Sequence, residues 1–274
     1  KPKREQTVTT IKELSSLKGR RALITGATGS LGRVMADSLA ELGADIVLVD
    51  RQGSNFNSLS VDLTERWGAK VECQVCDLEQ RTERADLIAL MNNCDQGLNI
   101  LINNAAFVGT SDLQGWAVSF EEQTIESWSR AFEVNLTAIF DLCQGLTPLL
   151  KPAEGASIIN IASIYGLYGP DWSLYEDTNM SNPAAYSASK GGLIQFTRWL
   201  ATTIAPRIRV NSISPGGIFR NQHKEFVRRY EEKTPLGRMA TEEDFRGAIA
   251  YLASDLSNYV TGQNLVVDGG WGIW

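Results

Sequence analysis

Seven short apolar runs, at 21–25, 45–50, 70–76, 99–103, 157–162, 207–214 and 264–267, alternate with helix-length segments at 31–42, 80–94, 124–150, 184–205 and 241–253. Parallel strands cannot be joined by hairpins and need a crossover between them, which the helical segments supply. The alternation therefore predicts an α/β fold, a doubly wound parallel sheet of Rossmann type with both faces covered. The 274 residues suit one such domain, 1–274, because no Pro/Ser-rich linker, low-complexity tract or internal repeat divides them. Three connections, at 107–123, 164–183 and 216–241, are long for this fold and follow strands on their carboxyl side. Ligands bind along that edge of open α/β sheets, so these are the expected substrate loops.

Composition removes other function classes. With 26 basic and 32 acidic side chains the formal charge is −6, against the basic face that a nucleic-acid partner requires. A single histidine, His223, rules out a site built on two imidazoles within one chain, and no metal is expected. The apolar runs fall short of the ~18–20 residues that span a bilayer, so no membrane partner is expected. Residues 1–10 are polar with no apolar segment behind them, so no secretory signal is read there. Cys73, Cys76, Cys94 and Cys143 lie in regular segments, Cys73 and Cys76 three apart on one strand, and are expected as free buried thiols in the cytoplasm.

The first strand runs into Thr25-Gly26-Ala27-Thr28-Gly29-Ser30-Leu31-Gly32 and then into an amphipathic helix. Glycines let the backbone turn tightly beside a pyrophosphate, which the helix start attracts through its free N–H groups. Asp50 ends the next strand, where a carboxylate binds ribose hydroxyls and repels a 2′-phosphate. NAD is thus expected over NADP, with Arg51 softening the discrimination.

A second constellation lies farther on. Tyr186 and Lys190 stand at i and i+4 on one helical face; Asn160-Ile161-Ala162-Ser163 and Asn103-Asn104-Ala105-Ala106 end strands, and Val134-Asn135-Leu136 sits in the long central helix. A cation near a phenol favours phenolate, which makes Tyr186 a usable acid/base where histidine is scarce. Taken singly, Asn135 also fits a buried structural amide and Ser163 a helix cap.

Together these motifs resemble the short-chain dehydrogenase/reductase family in its compact single-domain branch, from Leu17-Lys18-Gly19 to Val267-Asp268-Gly269-Gly270. The resemblance implies NAD(P)-dependent hydride transfer on a secondary alcohol or ketone. By it, Tyr186 is the acid/base, Lys190 lowers its pKa and holds the nicotinamide ribose, Ser163 binds the substrate oxygen and Asn135 positions a relay water. It also implies a cofactor held by Gly26, Ser30, Leu31, Gly32, Asp50 and Arg51. Asp77 and Leu78 would meet adenine, Asn104 and Ala105 the adenosine side, and Pro215, Gly216 and Ile218 the nicotinamide. Homo-oligomers, tetramers or dimers, are implied too, and Trp271 and Trp274 suit an interface.

Four departures stand out. Ser30 replaces a usual glycine, giving a turn typical of the extended sugar-nucleotide branch; only 84 residues follow Lys190, too few for that branch's substrate domain. Ala106 ends the usual N-N-A-G, Arg220 stands where threonine is common, and Ser163 and Tyr186 lie 23 apart, a long interval. The long loops hold Trp116, Asp171, Trp172, Tyr175, Glu176, Asn179, Arg220, Asn221, Gln222 and His223. That polar and aromatic mix suits a sugar or sugar acid, in carbohydrate metabolism. The alternatives are a 3-ketoacyl-type reductase of the same fold and, in another class, a non-catalytic nucleotide-sensing scaffold.

Overall fold

The computed structural model describes residues 9–94, 96–107, 113–178 and 180–274. Strands β1 (Arg21–Thr25), β2 (Asp45–Asp50), β3 (Val71–Val75), β4 (Ile100–Asn103), β5 (Ser157–Ile161), β6 (Arg209–Pro215) and β7 (Asn264–Val267) form one sheet in the order β3-β2-β1-β4-β5-β6-β7. Every neighbouring pair is parallel. β1, β2 and β7 have the expected ends, and the ends of the other strands move by at most two residues.

Alternation along each strand builds the two cores. Ala22, Ile24, Ile46, Leu48, Ile100 and Ile102 face one layer, where they pack on α2 (Ser30–Glu41) through Met35 and Leu39; the short α1 (Ile11–Ser15) buries none of its residues. The intervening Leu23, Val47, Val49 and Leu101 face the other layer. Helices α3 (Phe56–Trp67) and α9 (Arg246–Ala253) complete the first layer; α4 (Arg81–Asn92), α6 (Ala138–Leu150) and α7 (Ala184–Ile204) make up the second.

Two helices correct the sequence reading. α3 buries only Leu59 and Leu63, one stripe of two residues on an otherwise polar segment, although Asn55 caps its start and left-handed Gly68 ends it. α8 (Lys224–Lys233) lies inside the segment 216–241 read as a loop, and it too buries only two side chains, Phe226 and Tyr230. The central segment 124–150 is not one uniform helix. Between α5 (Ile125–Phe132) and α6 the backbone widens into a π turn, Glu133–Thr137, which carries Asn135. The expected start of the last helix at 241 is a tighter turn, Glu242–Phe245.

All four cysteines are free, but Cys73 is exposed and Cys94 only half-buried; Cys76 and Cys143 alone are buried. Cys73 points away from the core because β3 is an edge strand with one face toward water. No helix among the described residues is long and apolar enough to cross a membrane.

Candidate active site

The order of strands reverses between β1 and β4, and a cleft of about 560 Å³ opens there along the carboxyl edge of the sheet. Gly26, Ser30, Leu31, Gly32, Asp50, Arg51, Asp77, Leu78, Asn104 and Ala105 all line it at one end. Ser163, Tyr186, Lys190, Pro215, Gly216 and Ile218 line it at the other. Asn135 does not: it lies fully buried behind its neighbour Val134, which does.

The glycine turn is packed for close approach. Gly26 has φ +61°, and a Cβ there would sit 2.9 Å from the Ala105 Cα; one on Gly32 would sit 2.2 Å from the Gly26 carbonyl oxygen. Bare backbone thus faces the cleft where α2 begins, and the first-turn N–H groups of a helix lack intrahelical partners. Asn104 ties the turn to β4, its Nδ2 donating to the carbonyls of Thr25 (2.9 Å) and Gly26 (3.0 Å). Asp50 is tied in as well. Its Oδ2 accepts from the Thr28 amide (2.9 Å) and hydroxyl (2.7 Å), its Oδ1 from the Arg51 amide (2.8 Å). Both lone pairs of Oδ2 are thereby engaged, and Oδ1 keeps one more for a ligand. A glycine-bared anion cradle with a carboxylate at the next strand end fits a dinucleotide, with the cradle for its phosphates and Asp50 for its ribose.

Sequence reasoning missed the support beneath this end. Arg84 is buried, and its guanidinium meets the Leu78 carbonyl (2.5 Å), Glu133 (2.7 Å) and Asp141 (2.8 Å). It links the adenosine-side loop to the π turn and to α6. Arg130 grips Glu79 beside it. Only the partners reveal these roles; nothing in the spacing does.

At the catalytic end Ser163 follows β5, and both readings of it hold. Its hydroxyl accepts from the Tyr165 amide (3.2 Å), as a cap does, and it lines the cleft beside Tyr186, whose hydroxyl it draws down. Asn135 likewise satisfies backbone: Oδ1 accepts from the Phe107 amide (2.8 Å) while Nδ2 donates to the Ser189 hydroxyl (3.0 Å). Ser189 in turn donates to the Tyr186 carbonyl (2.9 Å), so Asn135 steadies the first turn of α7.

The expectation that Lys190 lowers the Tyr186 pKa is corrected. Burial pushes the Tyr186 hydroxyl up, and the downward pulls come from the Ser163 hydrogen bond and the Arg220 charge. Lys190 is buried and its Nζ donates to the Ile161 carbonyl (2.6 Å), 5.9 Å from the Tyr186 ring centre. Burial brings the ammonium itself down to about 7, so near neutral pH it is only partly charged.

A testable consequence follows from that value. An anionic, hydroxyl-bearing dinucleotide beside Nζ favours the charged lysine, so its pKa rises on binding. Binding is then expected to take up about half a proton at pH 7 and close to one by pH 9, and affinity to fall as pH rises, by at most about tenfold per unit. Calorimetry in two buffers of different ionisation heat measures the uptake; none across that range would contradict the role.

The substrate loops differ from the expectation of a polar lining. Trp116 is buried behind Tyr186, among Phe107, Ala131 and Ala185. Asp171 caps Ser173 and pairs with Lys233; Tyr175 shares a hydroxyl hydrogen bond with Tyr165 (2.7 Å). Glu176 is exposed while its carbonyl accepts from Arg229 (2.5 Å), and His223 only precedes α8. Gln222 staples its own loop by donating to the Ile218 carbonyl (2.6 Å). Asn221, with φ +58°, and Trp172 stay exposed, and Asn179 lies outside the described residues. The loop polarity is largely spent on holding the loops.

What those loops enclose is aromatic. Ile164, Leu174, Phe226, Tyr230, Met239 and Trp271 form a small core, with Tyr165, Tyr168 and Tyr175 packed on it. Trp271 stacks on Tyr230, ring centres 5.7 Å apart, within its own subunit. Only Trp274, 87 % exposed, is left for an interface.

Known proteins share this arrangement. The family model described as "Enoyl-(Acyl carrier protein) reductase" matches residues 26–272. A 3-oxoacyl-[acyl-carrier-protein] reductase of Aquifex aeolicus is 30% identical over 260 residues, covering 93% of this chain and 98% of its own. A short-chain dehydrogenase of Leptospira borgpetersenii, solved with bound NAD+, superposes with TM-score 0.82 at 33% identity, covering 99% of each chain. The NADPH-dependent 3-quinuclidinone reductase of Rhodotorula rubra superposes with TM-score 0.84 at 28% identity, over 98% of this chain and 97% of its own.

Proposed function

The chain belongs to the short-chain dehydrogenase/reductase family and is an NAD(P)-dependent oxidoreductase of CH–OH and C=O groups; from that premise we propose that it reduces a 3-oxoacyl-type ketone, reversibly, at Tyr186. The observation that carries the reading is that Ser163, Tyr186 and Lys190 line one end of the cleft together, opposite the glycine turn. The bound nicotinamide supplies the hydride in reduction or accepts it in oxidation. Ser163 and Tyr186 hold the carbonyl oxygen, and Tyr186 delivers the proton that completes the alcohol. Lys190 holds the nicotinamide side, and Asn135 positions the turn that carries Tyr186.

The consumed loop polarity and the apolar lining of the cleft by Phe107, Val134, Ile161 and Ala162 favour a ketone with an apolar body over the sugar expected from the loops' composition. The relatives' printed activities, on a 3-oxoacyl chain and on a bicyclic ketone, agree with that choice. For the cofactor, the Asp50 carboxylate favours NAD, since a 2′-phosphate beside it would meet like charge. The relatives' titles include both NAD+ and NADPH, so Asp50 alone supports the preference. A homo-oligomer, tetramer or dimer, belongs to the same proposal: Trp128, Phe140 and Trp199 stand exposed on α5, α6 and α7, with Phe196 between the latter two. A cytoplasmic setting accords with four unpaired thiols.

Initial rates with NADH and NADPH, each against a 3-oxoacyl ester, a bicyclic ketone and a keto sugar acid, test the proposal. The expected result is turnover of the ester, about tenfold or more faster with NADH. Turnover confined to the sugar acid would return the substrate to the carbohydrate class, and a preference for NADPH would overturn the role of Asp50.

A further inference from the structure

The cleft is electrically polarised. Its acidic side chains, Asp50, Asp77 and Glu79, line the adenosine end, where Arg51 offsets one of the three. Lys190 and Arg220 bring cations to the catalytic end, and among the described residues no carboxylate accompanies them in the lining there. This occurs in a chain whose net charge is −6. Arg220 is held there by its own loop: its amide donates to Gln222 Oε1 (2.7 Å), Phe219 donates to the Ala240 carbonyl (2.8 Å), and Asn221 takes the left-handed conformation. The guanidinium donates through Nε to Glu242 (3.2 Å), a contact open to water and therefore weak. Among the described residues no other hydrogen bond of this guanidinium is present, which leaves its two Nη groups for a ligand. Their charge reaches Tyr186, whose hydroxyl it draws down.

We infer that Arg220 is a specificity-determining clamp for a carboxylate on the substrate, so that the natural ketone is a free 3-oxo acid and not a neutral ester. A guanidinium with its Nη edge open matches a carboxylate in a paired, two-bond geometry. Glu242 sets the direction of the side chain through Nε without occupying that edge. The inference rests on the ketone reading above and names the acyl end of that substrate.

The test uses the full-length protein and the matched pair acetoacetate and ethyl acetoacetate, with NADH. Wild type is expected to favour the acid, and Arg220→Gln to lower the acid-to-ester ratio of kcat/KM by about 10- to 100-fold, mainly through KM for acetoacetate. Arg220→Lys should restore part of the ratio. An unchanged ratio overturns the inference. So does a rise in KM for NADH of equal size with both substrates, which would give the guanidinium to a cofactor phosphate. If wild type reduces neither probe, the ketone reading fails by itself, and malonate binding to the enzyme with saturating NAD+ decides the clamp. Binding lost in Arg220→Gln sustains a carboxylate site; binding unchanged removes it.

Discussion

Replacing Tyr186 by phenylalanine is expected to lower kcat by about 10²- to 10⁴-fold, the range for losing a positioned acid or base, while NADH binding changes little. The substitution removes one oxygen and keeps the ring, which packs against Trp116 and Ala185. No cavity opens, so the protein should stay folded. Ser163 has no tendency to ionise near neutrality, and Lys190 directs Nζ to the Ile161 carbonyl, so neither replaces the lost hydroxyl at the substrate oxygen. Single-turnover rates with saturating NADH isolate the effect from product release. A fall of less than tenfold would remove Tyr186 from the proton transfer.

The second large effect is expected from Gly32→Ala. The new methyl would lie 2.2 Å from the Gly26 carbonyl oxygen and 2.8 Å from the Ala27 Cα, and both obstacles are backbone. Strand end and helix start must therefore separate, which costs about 1–3 kcal/mol and a Tm lower by roughly 2–4 °C for each. With that turn proposed as the cradle for the phosphates, NADH affinity is expected to fall by more than about tenfold. Gly97→Ala is the comparison: nothing lies within 4 Å of its ideal Cβ, so both quantities should hardly move. Fluorescence titration with NADH and thermal unfolding read the two effects. Unchanged binding in Gly32→Ala would mean that the close approach plays no part in holding the dinucleotide.

The sequence made the sheet legible because the five inner strands are buried on both faces or nearly so, and continuous Val, Ile and Leu runs have few other uses. Helices α3 and α8 were hidden for the opposite reason: with two buried residues each, their periodic signal is drowned by polar neighbours. The residues lining the nucleotide end could be read from spacing, since a backbone turn needs glycine and a strand end needs one carboxylate. The catalytic end was legible in membership but not in electrostatics. That burial, and not Lys190, dominates the Tyr186 hydroxyl depends on depth, which no spacing encodes. Loop composition misled most. Asp171 and Tyr175 look like ligand contacts until their partners within the chain are known.

For protein engineering, the buried Arg84 sets a rule about which pieces can be exchanged. Altering cofactor preference by transplanting 76–80 looks like a local operation on the rim of the cleft. Arg84 makes it a joint one, because that segment, Glu133 and Asp141 share a single sequestered guanidinium. A transplant that misplaces the Leu78 carbonyl would leave a buried cation short of a partner and carry the error into the turn around Asn135. The interchangeable unit is the segment together with its acidic partners on the central helices.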